Sequence, residues 1–424
     1  MPITFTASER SSLGVEVELV LVDPESRELV NRAHEILTEM SSGHPGGIHP
    51  KAKGEFFQST IEVITGICLS VGEARRDLAA SIGEVRRRAG ERGLRLMCAG
   101  THPFTDWSTQ LISPDPRYHR LADRMQWPAR QLAIFGIHFH VGVRSGEKAI
   151  AILNALCNYI PHLLGLSASS PYWMGQDTGL ASSRSKIFEV LPTAGLPHML
   201  PDWRGFEGFM ETLIAAETIT SVREVWWDIR PHPGFGTVET RVCDGMPTLE
   251  EICAGAAVVQ CLVERFNTLL DRGYTLPRPA AWIVRENKWR AARYGLDAAI
   301  IVDERGTLHP LRAAIEEMVD ELMPVARRLD CASELEGVFS ILEGGASCER
   351  QRAIVAGGGN LLDVVDSLCD ELDRSLEAAG VSIQRSGDGD IEAQGQLPGR
   401  AMPLGSQRAA RPAQPRAAPG RQLS

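Results

Sequence analysis

From Leu13 to Val22 the chain reads LGVEVELVLV, with Val15, Val17 and Leu19 alternating against Gly14, Glu16 and Glu18. A period of two is that of a half-buried β-strand, so the apolar side chains share one face and both carboxylates share the other. The alternation returns in Ile134–Val143, IFGIHFHVGV, where His138 and His140 oppose Ile137, Phe139 and Val141, with Arg144 at the strand's end. In Val225–Asp244 a last strand sets Thr237, Glu239 and Arg241 against Val238, Thr240 and Val242, and the strand before it carries Asp228 and Arg230 on one face. The segment Gly54–Gly66, GEFFQSTIEVITG, is β-rich and bounded by glycines. Its Glu55 and Glu62 are an odd number of residues apart, so an unbroken strand points them to opposite faces; only a bulge or a break brings both to one site.

The period changes to that of a helix over Ser70–Arg92, where Val71, Ala74, Leu78, Ile82 and Val85 form a stripe between charged faces. A strand is expected at Leu94–Ala99, then a turn, Gly100–Trp107, with His102 at the strand's end. Glu147–Leu166 reads as a long, mostly apolar helix, too interrupted to span a membrane. Ser41–Pro50 and Ser167–Arg204 read as loops, the second carrying Arg184 and Lys186 just after a Gly/Ser-rich stretch. Beyond Thr248 three apolar-periodic helices are expected, at roughly Leu249–Leu270, Pro310–Leu329 and Asn360–Ala379, with a basic helical patch of Asn287, Lys288, Arg290 and Arg293 between the first two. After Val381 the sequence turns to Gly, Pro, Gln, Ala and Arg. A disordered tail is therefore expected over 385–424, leaving 1–384 as a single domain with a helical part from about 249 to 384.

Composition narrows the field. A chain of 424 residues with 43% hydrophobic and 23% charged residues is globular in type. Its net charge of -10 argues against a general nucleic-acid or membrane-surface binder, whose phosphate-facing surface is basic. No run reads as a membrane span and the N-terminus lacks a signal-peptide pattern, so a cytoplasmic location is expected. The nine cysteines are scattered without a CxxC, which fits reduced, buried thiols and neither a disulfide framework nor a structural zinc site.

Each acidic or basic motif alone has an ordinary reading: a wetted strand face, a core histidine pair, a cross-strand ion ladder. Together they form a set. Glu16, Glu18, Glu55, Glu62 and Glu239 all lie on β-rich segments with one histidine pair and several arginines, and there is no Walker loop, GxGxxG or GxSxG. Carboxylates outnumbering imidazoles favour Mg²⁺ or Mn²⁺ over zinc. Such ions beside arginines suit a triphosphate, hence phosphoryl transfer without a P-loop. A zinc hydrolase using His138, His140 and a carboxylate is the alternative from another class.

The motifs LGVEVEL, GEFFQSTIEVITG, GIHFHVGV, SSR with LPTAGLP, and RPHPGFGTVETRVCD resemble in kind and order those of carboxylate-amine ligases of the glutamate-cysteine ligase type 2 branch. The resemblance covers Leu13–Tyr294 closely and the later helices loosely. It implies an α+β fold like that of glutamine synthetase and glutamate-cysteine ligase: a curved, mainly antiparallel sheet backed by helices, with ATP and Mg²⁺ or Mn²⁺ on its inner face. It implies Glu16, Glu18, Glu55, Glu62, His138 and Glu239 as metal ligands. His140 faces phosphate or substrate, with Glu16 and Arg241 also at the nucleotide, and Arg241, Arg230 and Arg184 contact phosphate or the acceptor carboxylate. The implied reaction joins an acid, L-glutamate in the type enzyme, to an amine such as L-cysteine through an acyl phosphate; other acids or amines stay open. The expected partners are small-molecule substrates, without nucleic acid or membrane, and self-association is left open.

Overall fold

The strand Leu13–Val22 (β1) runs through the middle of an open antiparallel sheet and pairs with three others. In this computed structural model residues 3–383 are described, within a unit spanning Met1–Arg385; the expected tail, 385–424, lies outside the described residues. The other strands of the sheet are β2 (Ala52–Gly54), β3 (Thr60–Ile64), β4 (Arg95–Met97), β5 (Ile137–Gly142), β6 (Ile229–His232) and β7 (Thr237–Thr240). Their order is β2-β3-β1-β5-β7-β6, with β4 extending the far end of β1.

Alternation decides which face is buried. Leu13, Val15, Val17, Leu19 and Leu21 of β1 and Ile137, Phe139 and Val141 of β5 enter one core with the helices Val71–Gly90, Gly146–Leu156 and Leu249–Asp271. Phe139, between the two histidines, is fully buried. A Cβ at Gly255 would stand 3.0 Å from its ring, so the helix Leu249–Asp271 approaches β5 through that glycine. Burying such a ring stabilises by about 2–3 kcal/mol, and it also fixes which way His138 and His140 point. Ser70 and Thr248 cap the helices Val71–Gly90 and Leu249–Asp271 by accepting from Glu73 and Glu251 amides. Behind them Arg86 holds Asp373 with two hydrogen bonds, 2.7 and 3.0 Å, tying Val71–Gly90 to the helix Leu361–Ala378.

Several expectations change. Gly54–Gly66 is not one strand: the chain reverses between β2 and β3, which pair with each other, Lys53 opposite Glu62. The supposed loop Ser167–Arg204 contains the helix Ser183–Phe188, capped by Ser182, and Arg184 sits on it. The helix Trp203–Ala215 was not expected, and the part expected to be helical beyond Thr248 also contains Ala332–Gly344 and Ser347–Ala356, outside the three apolar-periodic segments. Two stretches, Gly146–Ser167 and Leu249–Asp271, are long and apolar enough to cross a membrane, contrary to the sequence reading. They lie 83% and 78% buried inside the protein as core helices.

Candidate active site

The face of the sheet opposite the core carries the ionisable residues, and strand register sets them in rows. Glu18 pairs with Glu62, and Glu62 with Lys53, across β1-β3-β2. Glu16 pairs with His138 across β1-β5, while His140, Glu239 and Arg230 line up across β5-β7-β6. Cross-strand partners share a face, so these side chains converge.

Three overlapping triads result: Glu18, Glu55 and Glu62; Glu16, Glu62 and His138; Glu16, His140 and Glu239. In each, one ligand atom per residue lies within 4.8 Å of the others. Glu55 joins because the chain reverses after Gly54; this is the break that its odd spacing from Glu62 demands. The two imidazoles serve different triads.

Hydrogen bonds orient the set. His138 Nδ1 donates to Glu16 Oε2 at 3.0 Å, and His140 Nδ1 bonds Thr237 Oγ1 at 3.2 Å. Arg230 Nε donates to Glu239 Oε2 at 2.6 Å and its NH2 to Oε1 at 3.2 Å, while NH1 faces the carbonyls of Val222, Arg223 and Val225. Arg241 donates through NH1 to Glu239 and approaches His138 Nδ1 at 3.4 Å; its Nε is buried without a partner among the described residues. Arg184 is buried beneath the end of β7, its terminal nitrogens on the carbonyls of Arg241 and Val242 at 3.3 Å and its Nε unpartnered. Asp228 turns away from Arg230 and pairs instead with Lys288 Nζ at 2.5 Å, which also meets Glu189 at 2.6 Å. Lys288 is thus 2% exposed, not part of a solvated basic patch.

The electrostatics separate the two ends of the row. Burial pushes the Glu18 carboxyl up, and the charge of Glu55 adds to it, to about 7 against Arg184, the Gly136 amide and Arg241. Burial likewise raises Glu55, against Lys53 and Arg117. Glu239 is also desolvated, yet Arg230 and Arg241 hold it well below the usual carboxylate range. Glu16 is desolvated too, and hydrogen bonds and charge from His138 and His140 carry it below that range. Burial and the Arg241 charge lower His138 to about 4. The triad of three carboxylates is therefore the one most in need of a cation.

Three residues that sequence reading passed over belong here. Lys53 Nζ lies 2.5 Å from Glu62 Oε2; the odd Glu55-Glu62 spacing was the signal, since the reversal it requires puts Lys53 opposite Glu62. His232 and Phe235 flank the far end; RPHPGFG reads as a hairpin tip, but nothing in it announces a stacked pair. A groove of about 730 Å³ beside the helix Ala281–Tyr294, lined by Trp282, Arg285 and Arg290, contains none of the triad residues.

Among solved structures, the fold is that of glutamate-cysteine ligases. The chain superposes on the Francisella tularensis glutamate-cysteine ligase, solved in complex with AMP, with a TM-score of 0.60 at 14% identity over 92% of this chain and 97% of that one. A bifunctional glutathione synthetase from Pasteurella multocida gives the same TM-score at 15% identity, over 87% of this chain and 52% of that one. At such identities the likeness speaks for the fold alone. Sequence carries the assignment further: the model of glutamate-cysteine ligase family 2 matches residues 12–367, and the chain belongs to that family. A Frankia alni protein provisionally named glutamate-cysteine ligase 2-1 is 59% identical over 88% of this chain and 98% of its own length. A Thermobifida fusca protein provisionally named glutamate-cysteine ligase 2 is 52% identical over 91% and 97%.

Proposed function

We propose that the protein is an ATP-dependent carboxylate-amine ligase that activates an acid, L-glutamate first among candidates, as an acyl phosphate and passes it to an amine such as L-cysteine. The observation that carries this reading is the run of three triads sharing Glu16 and Glu62 on one sheet face, closed at one end by Arg241. Family membership supports the ligase class.

Divalent metal ions fit these residues. His140 Nε2 is buried without a hydrogen-bond partner among the described residues, 3.4 Å from Glu16 Oε1 and 3.8 Å from Glu239 Oε1. A buried polar atom left open among carboxylates is what a cation satisfies. Glu16, Glu18, Glu55, Glu62, His138, His140 and Glu239 would hold the ions, whose chemistry is to neutralise charge on the transferred phosphoryl group.

The chain's own groups do the rest. A carboxylate is a poor electrophile, so its oxygen attacks the γ-phosphorus of ATP, ADP leaves, and the amine then displaces phosphate from the carbonyl carbon. Arg241 is the guanidinium placed to meet the charge that develops, since it bonds Glu239 and stands 3.4 Å from His138 Nδ1, among the triad residues, with its Nε uncommitted. Arg230, whose donors are turned to Glu239 and to backbone carbonyls, and Arg184, whose terminal nitrogens are turned to the carbonyls of Val242 and Arg241, act by holding Glu239 and Arg241 in place. No covalent enzyme nucleophile is required; the thiols are buried and none joins a triad. The zinc-hydrolase alternative loses ground, because His138 and His140 do not converge on one triad.

Phosphate release from Mg·ATP is the test, with L-glutamate alone and with a panel of amines including L-cysteine. Release that needs both an acid and one amine, and is lost in Glu239→Gln, is expected; no release with any pair, together with copurifying zinc, would turn the assignment to a hydrolase.

A further inference from the structure

The hairpin that carries Arg230 and Glu239 ends in an aromatic surface with no task in the mechanism above. His232 pairs with Thr237 across β6-β7. Its ring therefore lies on the face of Arg230 and Glu239, two residue pairs nearer the tip. Phe235 stacks flat on it, with ring centroids 4.0 Å apart and planes 14° from parallel. Both rings meet His140 edge-on, each at 5.8 Å.

Phe235 is nevertheless 58% exposed. His232 covers one face of the phenyl ring. The ring is also held there: the Phe235 amide donates to the His232 carbonyl at 3.2 Å and to Nδ1 at 3.3 Å. Gly236 follows at φ 65°, and a Cβ on it would fall 1.6 Å from the Thr6 carbonyl oxygen, so the turn is seated against the N-terminal segment. A large apolar ring fixed beside a charged site with an open face is a surface prepared for a flat partner.

The ends of the triad row say which partner. Arginine and imidazole gather around Glu16 and Glu239, whereas the Glu18, Glu55 and Glu62 end is dominated by carboxylates. A polyphosphate suits the first end. A base tethered to it then has the neighbouring aromatic pair within reach.

We propose that the His232-Phe235 stack seats the base of a nucleotide whose phosphates lie at Glu16, His140 and Glu239. The inference rests on the ATP-dependent reading and assigns specificity for a nucleotide over bare polyphosphate to Phe235.

The test compares wild type, Phe235→Ala and Phe235→Trp. In Phe235→Ala the KM for ATP rises about 10-fold, the scale of one base-aromatic stack, while kcat and the KM for the acid stay within about threefold. The preference for ATP over inorganic triphosphate falls in parallel, and Phe235→Trp restores it. Mg²⁺-dependent binding of a fluorescent ATP analogue gives the same ranking without turnover. It therefore separates this inference from the ligase reading if no acid-amine pair supports phosphate release. An analogue affinity unchanged in Phe235→Ala, or wild type binding triphosphate as tightly as ATP, overturns the proposal. So does a loss of Mg²⁺ affinity matching the loss of nucleotide affinity, which would make the ring a prop for His140.

Discussion

Arg230 grips Glu239 with a two-pronged fork, Nε to Oε2 at 2.6 Å and NH2 to Oε1 at 3.2 Å, and both side chains are buried. The pair fixes where the Glu239 carboxylate stands. Removing Arg230 leaves the buried Glu239 with Arg241 alone, so the cost of a fully unpaired buried charge, about 3–5 kcal/mol, is its upper bound. Arg230→Gln is accordingly expected to lose stability within that bound in urea unfolding and to bind Mn²⁺ more weakly. Wild-type values for both would show that the fork is not what holds Glu239.

Lys53 and Glu62 pose the opposite case. Lys53 reaches a carboxylate oxygen of a triad already crowded by Glu18 and Glu55, and does so from a half-exposed position. A lysine there neutralises the triad and competes with any metal for Glu62. Lys53→Met is expected to tighten metal binding in calorimetry and to lower the melting temperature of the metal-free protein. Weaker metal binding in the variant would mean that Lys53 supports the ion.

How much of this was legible in the sequence follows from strand geometry. Alternation alone places Glu16 with Glu18 and His138 with His140, because a period of two needs no knowledge of neighbouring strands. Register across strands is another matter. That Lys53 faces Glu62 depends on where the chain turns between Gly54 and Thr60, and that His138 and His140 serve separate triads depends on how β1 and β7 flank β5. The arginines were legible as a group, but only packing shows that Arg230 is committed to Glu239 and backbone carbonyls, that Arg184 lies on the carbonyls of Arg241 and Val242, and that Arg241 stands among the triad residues. The helix Trp203–Ala215 was legible but unread, since Trp203, Phe206, Met210 and Leu213 recur at helical spacing.

His102 links the fold to pH. Its Nε2 donates to the Arg27 carbonyl at 2.8 Å, and Nδ1 accepts from the amides of Phe104 and Thr105 at 3.3 and 3.0 Å, a pattern only the neutral ring can make. Burial lowers its pKa to about 4. The unfolded chain, near 6.5, therefore binds more protons between these values, so the contribution is complete above about pH 6.5 and fades as pH falls toward 4. From this residue the loss at pH 5 is about 2 kcal/mol. Urea unfolding at pH 7.5 and pH 5 is expected to show a smaller pH effect in His102→Gln than in wild type. An equal effect in both would place the acid sensitivity elsewhere.

The central claim, that a carboxylate is activated by phosphoryl transfer on the triad face, is tested most directly with an oxygen label. L-Glutamate carrying ¹⁸O in its carboxylates is turned over with Mg·ATP and the productive amine, and phosphate is analysed by mass spectrometry. The acyl-phosphate route predicts one ¹⁸O in each phosphate released and none in the nucleotide product. Label appearing in AMP, or phosphate released with none, would contradict it.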